Sequence, residues 1–216
     1  NDLWAVSNKF NTESILETNH SSLGNSYWGI WGSASDEGNT VNVMCGPRGY
    51  VRNNASAPDL PSGWSFNVIS QDLYNVLQSD PRFGATILDL KAMKQAGQID
   101  YIAGYQDTGY FLNKFIPRQS DVTTGQGDAV LNYKQNTYII RLADTYLLEA
   151  EALGGTGARA QALLDAVRIR AGLPSVPVSL DSIKTERRKE LAGEGHRFFD
   201  LVRWNEAATK LSSRGF

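Results

Sequence analysis

The spacing of apolar residues changes character along this chain. From Tyr138 onward they recur at helical intervals. Tyr138 to Leu153 sets Leu142, Tyr146, Ala150 and Leu153 on one face, and Gly154-Gly155 supplies a C-terminal stop. Ala158 to Ala171 groups Leu163, Leu164, Val167 and Ala171, and Gly172 and Pro174 end it. Together these predict an αα-hairpin over 138–171, about as long as one tetratricopeptide unit of roughly 34 residues. A third helix is predicted over 180–192, with Ser179 as its N-cap and Ile183, Arg187 and Leu191 on its inner stripe. After Gly193-Glu194-Gly195 a fourth is predicted over 196–211, carrying Phe198, Phe199, Val202 and Trp204. One hairpin does not make a repeat array, which needs about three units.

Residues 1–136 follow no such period. Ser21 to Ser26 and Gly32 to Gly38 are turn chemistry, and residues 52–63, with two prolines, read as loop. Thr40-Val41-Asn42-Val43-Met44 alternates like a strand. Ser70 to Gln78 predicts a helix ended by Asp80-Pro81, since proline cannot extend a helix and drives the residue before it out of the α region. The expected organisation is therefore a loop-rich, aromatic-rich region over 1–136, with short strands and one or two helices, and a helical region over 137–216. The fold class is mainly α, and the two regions are read as one structural unit of a larger protein.

Charge sharpens the division without adding a partner. Residues 1–136 carry 9 basic and 13 acidic side chains, while the whole chain has a formal net charge of −2. Nothing in that balance marks a nucleic-acid surface. The apolar runs span a few residues, against the roughly 20 that a membrane helix needs. One cysteine, Cys45, excludes an internal disulfide and a multi-cysteine zinc site, and two histidines exclude a His-rich metal site. No signal peptide opens the chain at Asn1, and Ser213-Arg214-Gly215-Phe216 stops directly after a helical pattern, so both ends are read as cut.

Few motifs carry chemistry. Gly155-Thr156-Gly157-Ala158-Arg159-Ala160 fits a dinucleotide fingerprint, but a helix rather than a strand precedes it, so it reads as a tight helix-to-helix turn. His196 and Asp200 lie four apart on a predicted helix and can meet, as a structural pair. Glu186, Arg187, Arg197, Asp200 and Arg203 interleave acids with bases, which reads as a salt-bridged joint between the third and fourth helices, with the Arg187 guanidinium paired inside the bundle. Asp36, Glu37 and Asn39 lack the spacing of a calcium loop. The sequons at Asn19 and Asn54 imply nothing alone. No nucleophile elbow occurs, and a pair of glycosidase carboxylates is a matter of spatial separation that sequence does not reveal. No catalytic residue, metal or cofactor is assigned.

Aromatics are the remaining signal. Tyr27, Trp28 and Trp31 lie in a stretch rich in Gly, Ser and Asn, and Tyr50 and Trp64 also lie beside loop chemistry. Indole and phenol rings offer flat apolar platforms with a polar edge, suited to the C–H faces of sugars. The competing reading is that these rings anchor loops to the core.

Three blocks carry a family resemblance: RLADTYLLEAEAL from Arg141 to Leu153, ALLDAVRIRAGLP from Ala162 to Pro174, and IKTERRKELAGEGHRFFDLVRW from Ile183 to Trp204. Their order and spacing resemble the C-terminal region of the SusD/RagB family of outer-membrane nutrient-binding lipoproteins. Fainter echoes precede them: Glu13 to Glu17 resembles an opening strand, Leu73-Tyr74 with Ser79-Asp80-Pro81-Arg82 a helix and turn, and Asn113-Lys114-Phe115 a lysine-containing strand. The resemblance implies a non-enzymatic protein at the outer surface of the outer membrane. It implies a glycan or other nutrient as ligand and a TonB-dependent, SusC-like transporter barrel as partner. Membrane attachment would come only through a lipid anchor on an N-terminal part not present here, because Cys45 does not match the anchor position. No binding residue follows from the resemblance. Two rival readings stay open: a tetratricopeptide-like protein-interaction scaffold without a small ligand, and a two-carboxylate glycosidase.

Overall fold

Thr137, Tyr138, Ile139 and Ile140 form a strand, not the first turn of a helix, in the computed structural model, which describes residues 2–23, 26–33 and 36–212. Aromatic and β-branched residues suit a pleated surface. Here they find a partner more than a hundred residues upstream, as β1 (Ser14–Thr18) pairs antiparallel with the strand Thr137–Arg141 through an irregular register. The resemblance-based strand at Glu13 to Glu17 is thus present, and the predicted helix start at Tyr138 moves to Leu142. Gly24, Asn25, Ala34 and Ser35, inside the two predicted turn stretches, and the Ser213–Phe216 end lie outside the described residues. The chain divides into two compact units, Asn1–Arg141 and Leu142–Phe216.

In the first unit β1 is followed by α1 (Val41–Cys45), β2 (Val51–Arg52), α2 (Gln71–Leu77) and α3 (Phe83–Thr86). Then come β3 (Ile87–Asp89), α4 (Leu90–Gln95), β4 (Ile99–Asp100), β5 (Tyr110–Leu112) and β6 (Thr137–Arg141). The strands pair two by two, β1 with β6, β2 with β4 and β3 with β5. The α1 segment corrects the strand expected over 40–44. Asn39 Oδ1 accepts from Val41 N, and the buried Asn42 side chain donates to the carbonyl of Phe115 and to Gln135. A strand would turn Asn42 away from the side that Val43 faces, whereas one helical turn buries both.

Helix α2 forms as expected, with Ser70 Oγ accepting from Leu73 N. Asp80 then closes the turn, its carboxylate accepting from the backbone N, Nε and Nη2 of Arg82 at 2.8–3.0 Å. Lys114 lies in the turn after β5 rather than in a strand, because Phe115 N and Ile116 N both donate back to the Leu112 carbonyl. Cys45 is buried within α1, and burial pushes its thiol up to about 11. A core of Ala57, Leu60, Leu90, Ile99, Tyr101, Phe111 and Ile116 unites these short elements.

The second unit contains α5 (Leu142–Ala152), α6 (Gly157–Arg170), α7 (Leu180–Glu190), α8 (His196–Arg203) and α9 (Ala207–Leu211). Helix α5 packs on α6 and α7 around Ala143, Leu147, Ala150, Ala160, Leu163, Leu164, Val167 and Ile183. The inner stripe of α5 is therefore 143, 147 and 150, and the predicted member Leu153 is exposed. The Gly155 to Ala160 motif is the helix-to-helix turn expected of it. Gly155 has φ +65°, and a Cβ there would sit 2.6 Å from Leu180 N, so glycine is the residue that fits. Ser179 caps α7 reciprocally with Ser182. The single fourth helix divides in two because Asn205 takes φ +57°, a conformation Asn tolerates better than most residues. Phe198, Phe199 and Val202 lie on the exposed side of α8, while Asp200 and Leu201 turn inward. Among the described residues no helix is long and apolar enough to cross a membrane.

Buried ion pairs tie these helices together. Arg187 donates from Nε and Nη2 to the two carboxylate oxygens of Asp200, both at 2.9 Å, and from Nη1 to Asp144 Oδ1 at 2.8 Å. Arg203 also donates to Asp200, and it grips Glu151, whose carboxylate accepts from Trp204 Nε1 as well. The guanidinium of Arg197 lies over the Trp204 ring. Glu186 is drawn towards α6, accepting from Arg168 at 2.7 Å. His196 Nδ1 stands 4.0 Å from Asp144 Oδ1, so the carboxylate it meets is on α5 rather than at Asp200.

Burial opposes ionisation of Glu151, but hydrogen bonds from Arg203 and Trp204 outweigh it and hold the carboxyl below its ordinary 4.5. A depressed carboxyl contributes stability above its unfolded value and loses it as pH falls through the folded one. Glu151→Gln is therefore expected to lower the urea midpoint at about pH 7 and to narrow its gap to the parent protein as pH falls towards about 3. A gap independent of pH would contradict this.

Candidate functional site

Trp28 and Trp31 are three apart in a chain of tight turns. Ile30 N donates to the Tyr27 carbonyl and Ser33 N to that of Ile30, both at 2.9 Å. The turns are moored at their base. Ser26 exchanges hydrogen bonds with the buried Asn132 side chain, Asp128 N donates to the Ser26 carbonyl, and Asp128 Oδ2 accepts from Trp28 N. Asp36 Oδ2 accepts from Gly32 N at the other end. Asp36 and Asp128 thus act as turn braces.

Trp64 arrives from a different part of the chain. Residues 63–66 run along the end of α1, with Trp64 N donating to the Val43 carbonyl, Ser65 N to that of Gly46 and Phe66 N to that of Met44, at 2.8–2.9 Å. This brings the three indoles together. Trp28 stacks on Trp64, with centroids 5.8 Å apart and planes 23° from parallel. Trp31 meets both edge-on, 5.6 Å from Trp28 and 6.4 Å from Trp64. These separations fall in the favourable range for aromatic pairs, roughly 4.5–7 Å. Phe66 extends the group, 5.5 Å from Trp64.

The cluster is not a core. Trp28 is 50% exposed, Trp31 45% and Phe66 61%. Tyr27 is also half exposed, its ring lying over the backbone of Gly29. Rings that pack on one another while keeping half their surface in water form a rigid, apolar, hydrogen-bond-capable platform. Tyr50 does another job. Its hydroxyl donates to the Pro58 carbonyl at 2.6 Å, its ring packs against the core of the first unit, and burial pushes its phenol up, opposed by Arg52. It anchors the proline-containing loop. Phe66 was missed by sequence reasoning, because it reaches Trp64 across Ser65, whose φ of +57° is not the extended backbone of a strand.

Gly63 sets the position of Trp64. A Cβ there would lie 2.5 Å from the Gly46 backbone, where no flexible side chain can yield. Gly63→Ala is expected to cost about 1–3 kcal/mol, as overpacking does. It also pushes Trp64 off Trp28, so the exciton signal of the stacked indoles in far-ultraviolet circular dichroism weakens. An unchanged signal in the folded variant would count against this role. Among the described residues no group of three or more His, Cys, Asp or Glu is placed to hold a metal ion.

Comparisons with known proteins agree on one kinship. The model of the SusD family matches residues 12–214. A SusD-like protein of Bacteroides ovatus is 34% identical over 106 residues, which is 46% of this chain and 19% of that protein. Among solved structures, a laminarin binding SusD-like protein superposes with a TM-score of 0.98 at 68% identity, covering 100% of this chain and 47% of that one. Surface glycan-binding protein A from Bacteroides thetaiotaomicron, in complex with laminarihexaose, gives a TM-score of 0.84 at 29% identity, over 96% of this chain and 46% of that one. This chain spans less than half the length of each of these relatives.

Proposed function

Since the chain belongs to the SusD family, we propose that it binds a laminarin-type glucan without cleaving it, using the platform of Trp28, Trp31 and Trp64 with Tyr27 and Phe66 at its border. The stacked tryptophan trio, with Trp28 and Trp31 half exposed over the less exposed Trp64, is the observation that carries this reading. Each glucose ring presents a C–H face to an indole and hydroxyls to the indole N–H and nearby backbone groups. Similarity at 68% identity to a laminarin binding protein supports the choice of ligand. In the whole protein the bound glycan would be held at the cell surface and handed to a TonB-dependent transporter of the outer membrane.

The test is native electrophoresis through gels containing laminarin, with a reducing-end assay on the same samples. Retardation without new reducing ends is expected. Release of reducing sugar, lost on changing one Asp or Glu while retardation persists, would replace this reading with a two-carboxylate glycosidase. Absence of retardation in laminarin or any other glycan would favour a protein-binding scaffold.

A further inference from the structure

One cavity of the first unit lies apart from the tryptophan platform and is unusually basic. It measures about 770 Å³, within the range of ligand pockets, roughly 300–1,000 Å³. Four cationic side chains line it, Lys9, Lys114, Arg118 and Lys134, against a single carboxylate, Asp121. The chain as a whole carries a formal −2, so this concentration of positive charge is local. Lys114 is 4% exposed, with its ammonium 5.1 Å from the centre of the Trp4 indole, a cation–π placement. Lys134 is exposed at the opening.

The site is crowded with like charge. Burial holds Lys9 below its ordinary value, with Glu17 opposing the shift and Lys134 adding to it. Burial likewise lowers Arg118, with Asp121 opposing. Lys9 and Arg118 each donate to neighbouring protein oxygens, which fixes their heads in place. Arg118 has five N–H donors, enough to bind an oxyanion while holding that bond. An anion entering the cavity relieves repulsion among cations in a partly dehydrated space, where charge interactions are stronger than in water.

We propose that this cavity is a second ligand site, which takes the carboxylate or sulfate group of an acidic sugar. The sugar part rests on the glycan-binding reading above, and the anionic part rests on the cavity alone. A protein with both sites would grip a neutral glucan segment on its indoles and an acidic residue in the basic cavity.

Calorimetric titration of the protein at low ionic strength tests this with four probes: glucuronate, glucose 6-sulfate, inorganic sulfate and glucose. Binding of the first two, with glucose silent and inorganic sulfate clearly weaker, is the expected result. Lys134→Glu, an exposed change that spares the fold, should weaken that binding about fivefold or more, and added salt should weaken it further. The same variant should migrate like the parent in laminarin gels. Lack of binding by both acidic sugars would overturn the proposal, as would equal affinity in Lys134→Glu. Inorganic sulfate binding as tightly as glucose 6-sulfate would overturn the sugar part. Acidic-sugar binding lost in Trp28→Ala but kept in Lys134→Glu would move the anion to the indole platform and overturn the assignment. Failure of laminarin retardation alone would strike the glucan reading and leave the anion titration as a separate result.

Discussion

Arg187→Ala is expected to lower the stability of the helical unit by about 3–5 kcal/mol, the cost of stripping one partner from a buried ion network. The side chain is 2% exposed and holds Asp200 by a two-pronged hydrogen bond and Asp144 by a third bond. Its loss leaves two buried carboxylates facing each other's field, with Arg203 still on Asp200 but no guanidinium on Asp144. For a chain of this size such a loss corresponds to a fall in melting temperature on the order of 10 °C. Arg187→Lys keeps the charge and loses the planar fork, so it should fall between the parent and the alanine variant. Laminarin binding by the folded fraction should be unchanged, because the tryptophan platform uses residues of the first unit only. Melting followed by circular dichroism, with gel retardation below the transition, checks both parts. Loss of binding in well-folded Arg187→Ala protein would defeat the separation of roles.

Trp28→Ala is expected to weaken laminarin binding by about thirtyfold, the effect of losing about 2 kcal/mol at a central aromatic contact. Trp28 stacks on Trp64 and meets Trp31 edge-on, so its removal takes away a binding face and one contact from each of the other two. Half of its surface already lies in water, so the fold should lose only about 1 kcal/mol. Trp28→Phe should recover part of the affinity by restoring a smaller face. A neutral ligand on indoles should respond little to salt, in contrast to the basic cavity. Dissociation constants by calorimetry, for both variants at two salt concentrations, decide the point. A Trp28→Ala protein that binds laminarin like the parent would remove the platform from the proposal.

The α-helical half of the fold was legible because its signals are local. The Ser179 cap, the glycines after α5 and α6, and the stripe of Leu163, Leu164 and Val167 act within one or two helical turns, and each is found where the spacing places it. The same locality explains the misses. Residues 40–44 alternate, but the hydrogen bonds of the Asn42 side chain reach Phe115 and Gln135, and those distant partners favour the helical turn. Residues 137–141 become a strand because β1 is there to pair with them. Arg187 was recognisable as a buried cation from its place between Ile183 and Leu191, whereas its second acceptor, Asp144, lies 43 residues away and carries no mark of its role in the sequence.

The candidate site divides in the same way. Trp28 and Trp31 stood out by number and by company, and their shared side follows from short-range turns. Their union with Trp64 depends on the run of backbone bonds between residues 63–66 and the end of α1, which no period reveals. Tyr50 looked equivalent in sequence and was separated from the platform only by the Pro58 carbonyl that its hydroxyl meets. The basic cavity gathers cations from three separate stretches, Lys9, Lys114 with Arg118, and Lys134, and their union had no linear trace.

The sequence by itself determined the mainly helical class, the helix limits set by caps, glycines and prolines, and the three helical blocks that carry membership of the SusD family. Each of these depends on backbone propensity or on side chains that meet within a turn, forces that act between neighbours. The tertiary structure alone decided which tryptophans share a face, which carboxylates neutralise Arg187 and where positive charge accumulates. Those outcomes depend on pairs of residues distant along the chain, brought together by burial of apolar surface that is indifferent to the order in which its parts occur.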